Sequence, residues 1–454
     1  MLVGFAAVLT VTSVVSGLTG AFVLPAEAPA AASSSISAVS YNSSLPSTLS
    51  GPVSDVPAAP NAGAASLSVL GAVAGLNTSA LPAFIDANRG KLESLLRQSP
   101  APADVGRAWK LIDPAKQNLL IREAPHVVGN LEGVPYEVRG RANVLDLSET
   151  IAGVTRTLKT EHGRAERVAL QRQLETLDNV KKALGKHDGV KRTLVNLDPS
   201  ADAKASIVVG DLRTAAYVSV LVPGMYMSVG EQIEAWGKVA QEQYDLQTGF
   251  LRRVLGPRGG GGTPGVAVVA WIGYQTPVLT NIGGTALATQ GADSLERTLE
   301  GIRALRSGDQ PYLSVFAHSY GSTAALMALE RHTVTVDALA LMGSPGSASQ
   351  TVAGLSVTGG NVFVGEAAMD PIVDTAFFGS DPGSPHYGAK RMGVQGAVDP
   401  LTHKSLAGSS GHNEYFTIGT ESMRNLAMIG IDRGDLVLSG DGTSAAAGTA
   451  AAAR

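Results

Sequence analysis

A serine stands between small residues in the stretch VFAHSYGS, residues 315–322. Ala317 and Gly321 lie two positions on either side of Ser319. An apolar run precedes this serine and a helix-like run, STAALMALER, follows it, which favours a tight strand–turn–helix that presents the hydroxyl as a nucleophile. The same Ala-x-Ser-x-Gly spacing recurs at 407–411, but no apolar run precedes it there. We therefore expect Ser319 to be the reactive serine, and the chemistry to be attack on an acyl group.

A serine nucleophile needs a general base, and the base needs a carboxylate that orients it. On sheets that carry such a turn the chain order is serine, then an acid, then histidine. Asp370 follows the apolar run NVFVGEA and stands directly before a proline. Its place at the carboxyl end of a predicted strand favours it as the acid. Asp374, four residues later, is the rival.

The base must be one of the histidines that follow the serine: His332, His386, His403 and His412. His412 lies in a Gly/Ser-rich loop just before the last helix-like run, so we predict that it is the base, with His386 as the second candidate. His332 comes late in the helix that follows the serine and would point away. His318 adjoins the serine at a sharp turn, so we expect it to pack beside the site.

Acyl transfer also needs N–H donors for the oxyanion. The residue after the nucleophile supplies one donor in such sites, which predicts the backbone N–H of Tyr320. The second N–H donor is expected in the loop VPGMYMS, which follows an earlier predicted strand. Gly224 lets the backbone approach closely there, so the N–H of Met225 or of Gly224 is the expected donor.

These residues need a scaffold, and the second half of the chain supplies one. Six Val- and Ile-rich runs read as buried strands: ASIVVGD, YVSVLVPG, GVAVVAWIG, YLSVFAHS, DALALMGSPG and NVFVGEA. Helix-like stretches such as GADSLERTLEGIRAL separate them. Buried strands that alternate with helices predict an α/β fold, in which helices cover both faces of a mostly parallel sheet. The stretch RVALQRQLETLDNVKKAL has leucines at helical spacing, so we predict a helical region before the sheet.

Composition divides the 454 residues into five parts. Residues 1–24 are apolar and uncharged and resemble a signal sequence or membrane anchor. An Ala/Ser/Pro-rich linker over 25–80, a helical region over 81–200, a catalytic domain over 201–435 and a disordered tail over 436–454 follow. We therefore expect a secreted or membrane-anchored protein associated with the cell envelope, or a cytoplasmic one if the first segment is not an export signal.

The overall composition excludes several classes. Charged residues make up 16% of the chain and the net charge is −4, which argues against a nucleic-acid partner. The chain contains no cysteine, so thiolate nucleophiles, disulfides and zinc–cysteine sites are excluded. The glycine run at 259–262 lacks the Lys-Ser/Thr ending of a phosphate-binding loop and is interpreted as a linker. No metal or organic cofactor is indicated.

Several segments occur together in a familiar order: GNLEGVPYEVRGRAN, VLVPGM, AWIGYQTP, FAHSYGS, LMGSPG, DPI and HNEYF. The set resembles the actinobacterial α/β-hydrolase family that was long a domain of unknown function, alpha/beta hydrolase family 8, over roughly residues 108–430. The resemblance implies an α/β-hydrolase fold with Ser319 at the turn, and it supports Asp370 and His412 by position. Two positions depart from the family pattern: glycine is common where Ala317 stands, and an acidic residue where Gln275 stands.

The sequence thus favours a serine hydrolase, similar to a carboxylesterase or lipase, which cleaves a small-molecule or lipid ester through an acyl-enzyme. The alternative is a non-catalytic binding or cell-surface interaction protein on a hydrolase scaffold. A complete Ser–Asp–His set argues against that alternative, because a degenerate scaffold is expected to have lost a member.

Overall fold

The computed structural model describes residues 67–160, 162–185, 188–255 and 264–440. The apolar segment 1–24 and most of the Ala/Ser/Pro-rich stretch lie outside the described residues, as do residues 441–454. Within the part of the chain that is described, none of the helices combines the length and the apolar composition needed to cross a bilayer.

A layer of helices precedes the sheet: α1 Ser68–Gly75, α2 Leu81–Gln98, α3 Pro102–Lys110, α4 Pro114–Glu123, α5 Pro125–Asn130, α6 Tyr136–Thr157 and α7 Arg164–Leu184. Helices α2 to α5 each have a proline in the first turn, where the missing N–H costs no hydrogen bond. The linker predicted over 25–80 is wrong at its carboxyl end. Val69, Leu70 and Val73 of α1 are buried against the other helices, because their spacing puts them on one face.

The sheet has eight strands in the described residues: β1 Arg192–Asp198, β2 Lys204–Gly210, β3 Tyr217–Val222, β4 Val266–Ile272, β5 Tyr312–His318, β6 Ala338–Met342, β7 Val362–Gly365 and β8 Lys390–Arg391. Their order is β1-β2-β4-β3-β5-β6-β7-β8. Strands β1 and β2 pair antiparallel, β2 pairs antiparallel with β4, and the remaining pairs are parallel. The predicted α/β class with a mostly parallel sheet is confirmed.

Strand β1 corrects the boundary at residue 200, since it lies inside the region predicted to be helical. Its register with β2 shifts between Leu194 and Asn196, so the bulge interrupts the alternation that would mark a strand.

Four further helices of the described residues cover the sheet: α8 Val229–Leu255, α9 Ala286–Leu305, α10 Tyr320–Glu330 and α11 Glu421–Gly430. Neighbouring residues of a strand point to opposite faces. Val220 of β3 packs in the cluster that includes α9 and α10, whereas Leu221 packs in the cluster that includes α8 and α11. The sheet is therefore buried on both faces, and the candidate site residues lie in the loops at the strand ends.

Short elements complete the described chain. They are the 3₁₀ turns Thr78–Ala80, Val352–Gly354, Thr358–Gly360 and Gly434–Leu436, and the paired strands β9 Ala397–Val398 and β10 Ser405–Leu406. The tail predicted to be disordered from residue 436 begins too early. The backbone N–H of Leu438 donates to the Asn425 side chain at 2.9 Å, and Ser439 forms a bridge with Met392.

Candidate active site

Ser319 lies at the turn between β5 and α10. Its backbone has φ 54° and ψ −132°, a strained conformation for a residue with a Cβ, and its N–H donates to the carbonyl of Met342 at 2.9 Å. Gly321 allows the turn, because a Cβ there would stand 2.3 Å from the carbonyl oxygen of Pro223. Ala317 is wholly buried in β5, so the methyl group where glycine is common fits in the cluster between the sheet and helices α9 and α10. The turn thus has the strand–turn–helix form predicted from the sequence.

His412 meets the serine from the loop that precedes α11. Its Nε2 lies 2.7 Å from the Oγ of Ser319. Its Nδ1 lies 2.8 Å and 3.0 Å from the two carboxylate oxygens of Asp370. A carboxylate only accepts, so Nδ1 carries the proton and Nε2 is free to accept from the serine hydroxyl. The imidazole is therefore held in the tautomer that a general base needs.

Asp370 follows β7, at the same edge of the sheet. Its side chain is inaccessible to solvent. Burial by itself raises the pKa of this carboxyl, but hydrogen bonds from His412, the Tyr415 hydroxyl and the Ile372 N–H hold the pKa below its ordinary value. The carboxylate is thus ionised and placed to stabilise a positive charge on the imidazole.

The structure does not bring the rival residues to this point. Asp374 is exposed, and so are His332, His386 and His403. His332 is hydrogen-bonded through Nδ1 to the Ser356 hydroxyl at 2.8 Å, at the far end of α10.

His318 packs against the imidazole of His412, with ring centres 4.7 Å apart. Its Nε2 lies 2.6 Å from the carbonyl oxygen of His412, so this nitrogen donates a hydrogen bond to the loop that carries the base. Burial, with the nearby His412, lowers the pKa of His318 to about 4. A neutral His318 therefore anchors the loop and adds no charge.

Residues 223–228, here called the oxyanion loop, approach the serine after β3. A Cβ on Gly224 would stand 2.6 Å from the Cβ of Ser319 and 3.2 Å from its Oγ, so only glycine fits. The loop that follows β4 holds the oxyanion loop in place through two hydrogen bonds. The Tyr274 hydroxyl donates to the Pro223 carbonyl at 2.7 Å, and the Tyr226 N–H donates to the Pro277 carbonyl at 3.0 Å.

The two predicted oxyanion donors are the residues that follow Gly224 and Ser319, which are the two partners of this close contact. Met225 follows Gly224 in the oxyanion loop. Tyr320 is the first residue of α10, and the N–H groups in the first turn of a helix have no acceptor within that helix. Both N–H groups belong to segments that converge on Ser319.

Three residues that the sequence interpretation missed shape the site. The Tyr415 hydroxyl donates to Asp370 at 2.7 Å and accepts from the Ala367 N–H at 2.8 Å. Gly343, with φ 55°, lies so close that a Cβ would stand 2.6 Å from Asp370 Oδ2. Tyr274 is the third. Each acts through a contact between distant loops, and the only signal was their place in HNEYF, LMGSPG and AWIGYQTP.

Among the residues that the structure describes, one group of carboxylates comes close enough to share a cation. Oxygens of Glu366, Asp374 and Asp381 lie within 4.8 Å of one another. Glu366 is already paired with Arg391 at 2.8 Å. The chemistry at Ser319 does not require this acidic group.

The sheet order, the strained serine turn and the Ser–His–Asp row define an α/β hydrolase. Residues 198–380 match the model of a family described as alpha/beta hydrolase, which confirms the family resemblance seen in the sequence. The match is shorter than the resemblance, which extends over roughly residues 108–430.

Relatives with similar sequences are mycobacterial. An uncharacterized protein of Mycobacterium tuberculosis is 26% identical over 402 residues, which cover 75% of this chain and 58% of that protein. An uncharacterized protein of Mycobacterium bovis is 28% identical over 218 residues, covering 46% of this chain and 79% of that protein. The chain thus spans less than two thirds of the length of the first of these relatives.

Solved structures with a similar fold include a hyperthermophilic esterase from the archaeon Pyrobaculum calidifontis. It has 14% identity and a TM-score of 0.31, covering 63% of this chain and 97% of its own. An S-formylglutathione hydrolase from Agrobacterium tumefaciens has 10% identity and a TM-score of 0.32, covering 55% and 97%. At these values the similarity says nothing about substrate.

Proposed function

We propose that the protein is a serine hydrolase that cleaves an ester through an acyl-enzyme. One observation carries this proposal: the unbroken hydrogen-bonded row from the Ser319 hydroxyl through His412 to the buried Asp370. A hydroxyl, an imidazole of fixed tautomer and an ionised carboxylate are the three groups that acyl transfer needs. The match of residues 198–380 to the model of an alpha/beta hydrolase family supports the same reaction class.

In the first half-reaction, His412 Nε2 takes the Ser319 proton as Oγ forms a bond to the carbonyl carbon. The carbonyl oxygen becomes an oxyanion, which accepts hydrogen bonds from the N–H groups of Tyr320 and Met225. Gly224 lets the second donor approach. The tetrahedral intermediate collapses, its bond to the alcohol oxygen breaks, and the leaving alcohol takes the proton from the imidazolium.

In the second half-reaction, His412 takes a proton from water, and the water oxygen bonds to the acyl carbon. The serine oxygen then leaves and recovers its proton, which releases the carboxylic acid. Asp370 stabilises the imidazolium in both halves without being protonated itself.

Labelling with a fluorophosphonate, which phosphonylates an activated serine, tests the nucleophile. We expect labelling of the wild type and of Ser410→Ala, since Ser410 is an exposed serine that adjoins Ser409, the serine of the second Ala-x-Ser-x-Gly match. Ser319→Ala should not be labelled. Equal labelling of Ser319→Ala and wild type, or labelling of neither, would contradict the proposal.

A second assay separates ester hydrolysis from other acyl transfers and from simple binding. The purified chain is offered p-nitrophenyl acetate, butyrate and longer-chain esters, together with a p-nitroanilide. We expect release of p-nitrophenol that depends on Ser319. Turnover of the anilide alone would indicate an amidase, and no turnover of any compound would favour the binding-protein alternative.

Export or anchoring at the cell envelope is a further proposal, supported by the uncharged apolar residues 1–24. Fractionation of cells that express the full chain tests it, and recovery of all the protein in the cytosol would contradict it.

A further inference from the structure

Large exposed apolar side chains recur on the loops that carry or support residues of the proposed active site. In the described residues, five of them stand on loops that follow the parallel strands β3, β4 and β7, and a sixth stands on the loop that carries His412: Tyr226, Val278, Leu279, Met369 and Phe377, with Ile418. We call these six residues the apolar rim. Exposed apolar groups that gather at one place mark an interaction surface, whereas scattered ones need no explanation.

Each loop of the rim also carries or supports a residue of the proposed active site. Tyr226 follows Met225 in the oxyanion loop, and Met369 precedes Asp370. Ile418 stands on the loop that carries His412, between that residue and α11. The rim therefore surrounds the point where a substrate carbonyl must approach.

Contacts between and within the loops fix the segments that carry two exposed rim side chains. The Leu279 N–H donates to the Tyr226 hydroxyl at 3.1 Å, which ties the two loops together. Phe377 packs edge-to-face on Phe378 with ring centres 4.9 Å apart, and Phe378 packs in the same way on Tyr320 at 5.6 Å. Leu279 is nevertheless 69% exposed and Phe377 62% exposed, so neither is buried by the contacts that fix its loop.

The charge of these loops narrows the class of partner. The four loops at 223–228, 273–285, 366–380 and 407–420 contain no lysine or arginine, and the chain has a net charge of −4. Anionic lipid headgroups are attracted by basic residues near the membrane surface, and these loops offer none. An uncharged or zwitterionic lipid surface has no such requirement.

We propose that the apolar rim inserts into the surface of an uncharged lipid aggregate, and that the substrate is a lipid ester withdrawn from it. This inference rests on the proposed ester hydrolysis and names its substrate class. Insertion transfers apolar surface from water to hydrocarbon, which is favourable, and it brings the lipid ester to Ser319.

Brominated phosphatidylcholine tests the insertion locally, because bromine in the acyl chain quenches only tryptophan that reaches it. Leu279→Trp and Phe377→Trp are compared with Val398→Trp in the full chain carrying Ser319→Ala. Val398 is the matched control: it is 64% exposed but lies on β9, outside the four loops at 223–228, 273–285, 366–380 and 407–420. We expect quenching of the new tryptophan at 279 and at 377, and none at 398.

Kinetics give a second readout that separates this inference from the proposed function. Hydrolysis of soluble p-nitrophenyl acetate tests only the chemistry, whereas hydrolysis of a long-chain ester in phosphatidylcholine vesicles also needs the rim. Leu279→Ser and Phe377→Ser should each lower the vesicle rate about tenfold and leave the soluble rate unchanged, because each removes one inserted side chain. Val398→Ser should change neither rate.

Several outcomes would overturn the inference while leaving ester hydrolysis intact. One is equal quenching at all three positions, or none at 279 and 377. Another is a requirement for anionic phosphatidylglycerol in the vesicles. A third is a change of oligomeric state in Leu279→Ser with no change in vesicle hydrolysis, which would assign the rim to a second copy of the chain. If the wild-type chain did not hydrolyse the soluble ester at all, that result would instead contradict the proposed function.

Discussion

The Tyr415 hydroxyl forms two hydrogen bonds to the loop that carries Asp370: it donates to Asp370 Oδ2 at 2.7 Å and accepts from the backbone N–H of Ala367 at 2.8 Å. Tyr415 lies on the loop that also carries His412, so one side chain fixes the separation of acid and base. Burial and the hydrogen bond to Asp370 keep the pKa of Tyr415 far above its ordinary value, and the hydroxyl stays protonated as a donor. Tyr415 is therefore a positioning residue for the imidazole–carboxylate pair.

Tyr415→Phe removes both hydrogen bonds of this bridge. We expect kcat for a p-nitrophenyl ester to fall about tenfold with little change in KM, because a hydrogen bond to a charged group contributes roughly 1.5–3 kcal/mol. The free energy of unfolding should fall by about 1–3 kcal/mol, since the buried Ala367 N–H loses its acceptor. Tyr136→Phe is the control: its hydroxyl is buried and has no hydrogen-bond partner among the described residues. An unchanged kcat in Tyr415→Phe would contradict the positioning role.

The two candidate acids are separated by a pair of matched substitutions. Asp370→Asn should lower kcat by about 10³–10⁴-fold, because an amide no longer holds the proton on Nδ1 of His412 or stabilises the imidazolium. Asp374→Asn changes an exposed carboxylate four residues away and should leave kcat within about twofold of wild type. Steady-state hydrolysis of a p-nitrophenyl ester measures both. The reverse result would assign the acid to Asp374.

Much of the scaffold follows from the sequence, because strands β2 to β7 are short, mostly apolar runs separated by helix-like stretches. A run of that kind must be buried on both faces, which specifies a parallel sheet and places the residues after each run at one edge. That ground, with the small residues around Ser319 and the place of His412 before the last helix-like run, was enough to select Ser319, Asp370 and His412. Position relative to a strand is a local property, and the chain displays it directly.

The contacts that tune the site could not be predicted, since they join loops far apart in sequence. Asp370 and Tyr415 are 45 positions apart. Their contact depends on how two irregular loops fold over the sheet edge. Strand β1 and helix α1 were missed for another reason: a bulge breaks the alternation of β1, and α1 lies next to an Ala/Ser/Pro-rich stretch that hides its apolar face.

Gly343 tests how tightly the acid and base are packed. Gly343→Ala would place a Cβ 2.6 Å from Asp370 Oδ2 and 3.0 Å from His412 Nδ1, so the pair must shift. We expect kcat to fall about tenfold to a hundredfold, since misplacement by about 1 Å can cost that much. Gly359→Ala is the control, because it has a similar φ of 62° but its nearest neighbour would lie 3.8 Å away, at the amino end of β7.

Both alanine variants should lose about 1 kcal/mol of stability from the left-handed backbone alone. Thermal unfolding measures that shared cost, and ester hydrolysis measures the difference between them. Equal loss of kcat in the two variants would mean that strain, not contact with the acid and base, controls activity.

His318 makes stability depend on pH in a defined window. Its pKa is lowered to about 4 in the folded chain, from 6.5 in the unfolded one. Between these pH values the unfolded state binds a proton that the folded state does not. The contribution of neutral His318 to the free energy of unfolding is therefore fully present above pH 6.5 and is lost as the pH falls toward 4. That contribution is at most about 3 kcal/mol.

His318→Asn keeps a donor but does not titrate, so its free energy of unfolding should fall less steeply across the window than that of wild type. Urea unfolding at several pH values measures the slope, with the exposed His386→Asn as control. Parallel slopes for wild type and His318→Asn would show that His318 is protonated as readily in the folded chain as in the unfolded one.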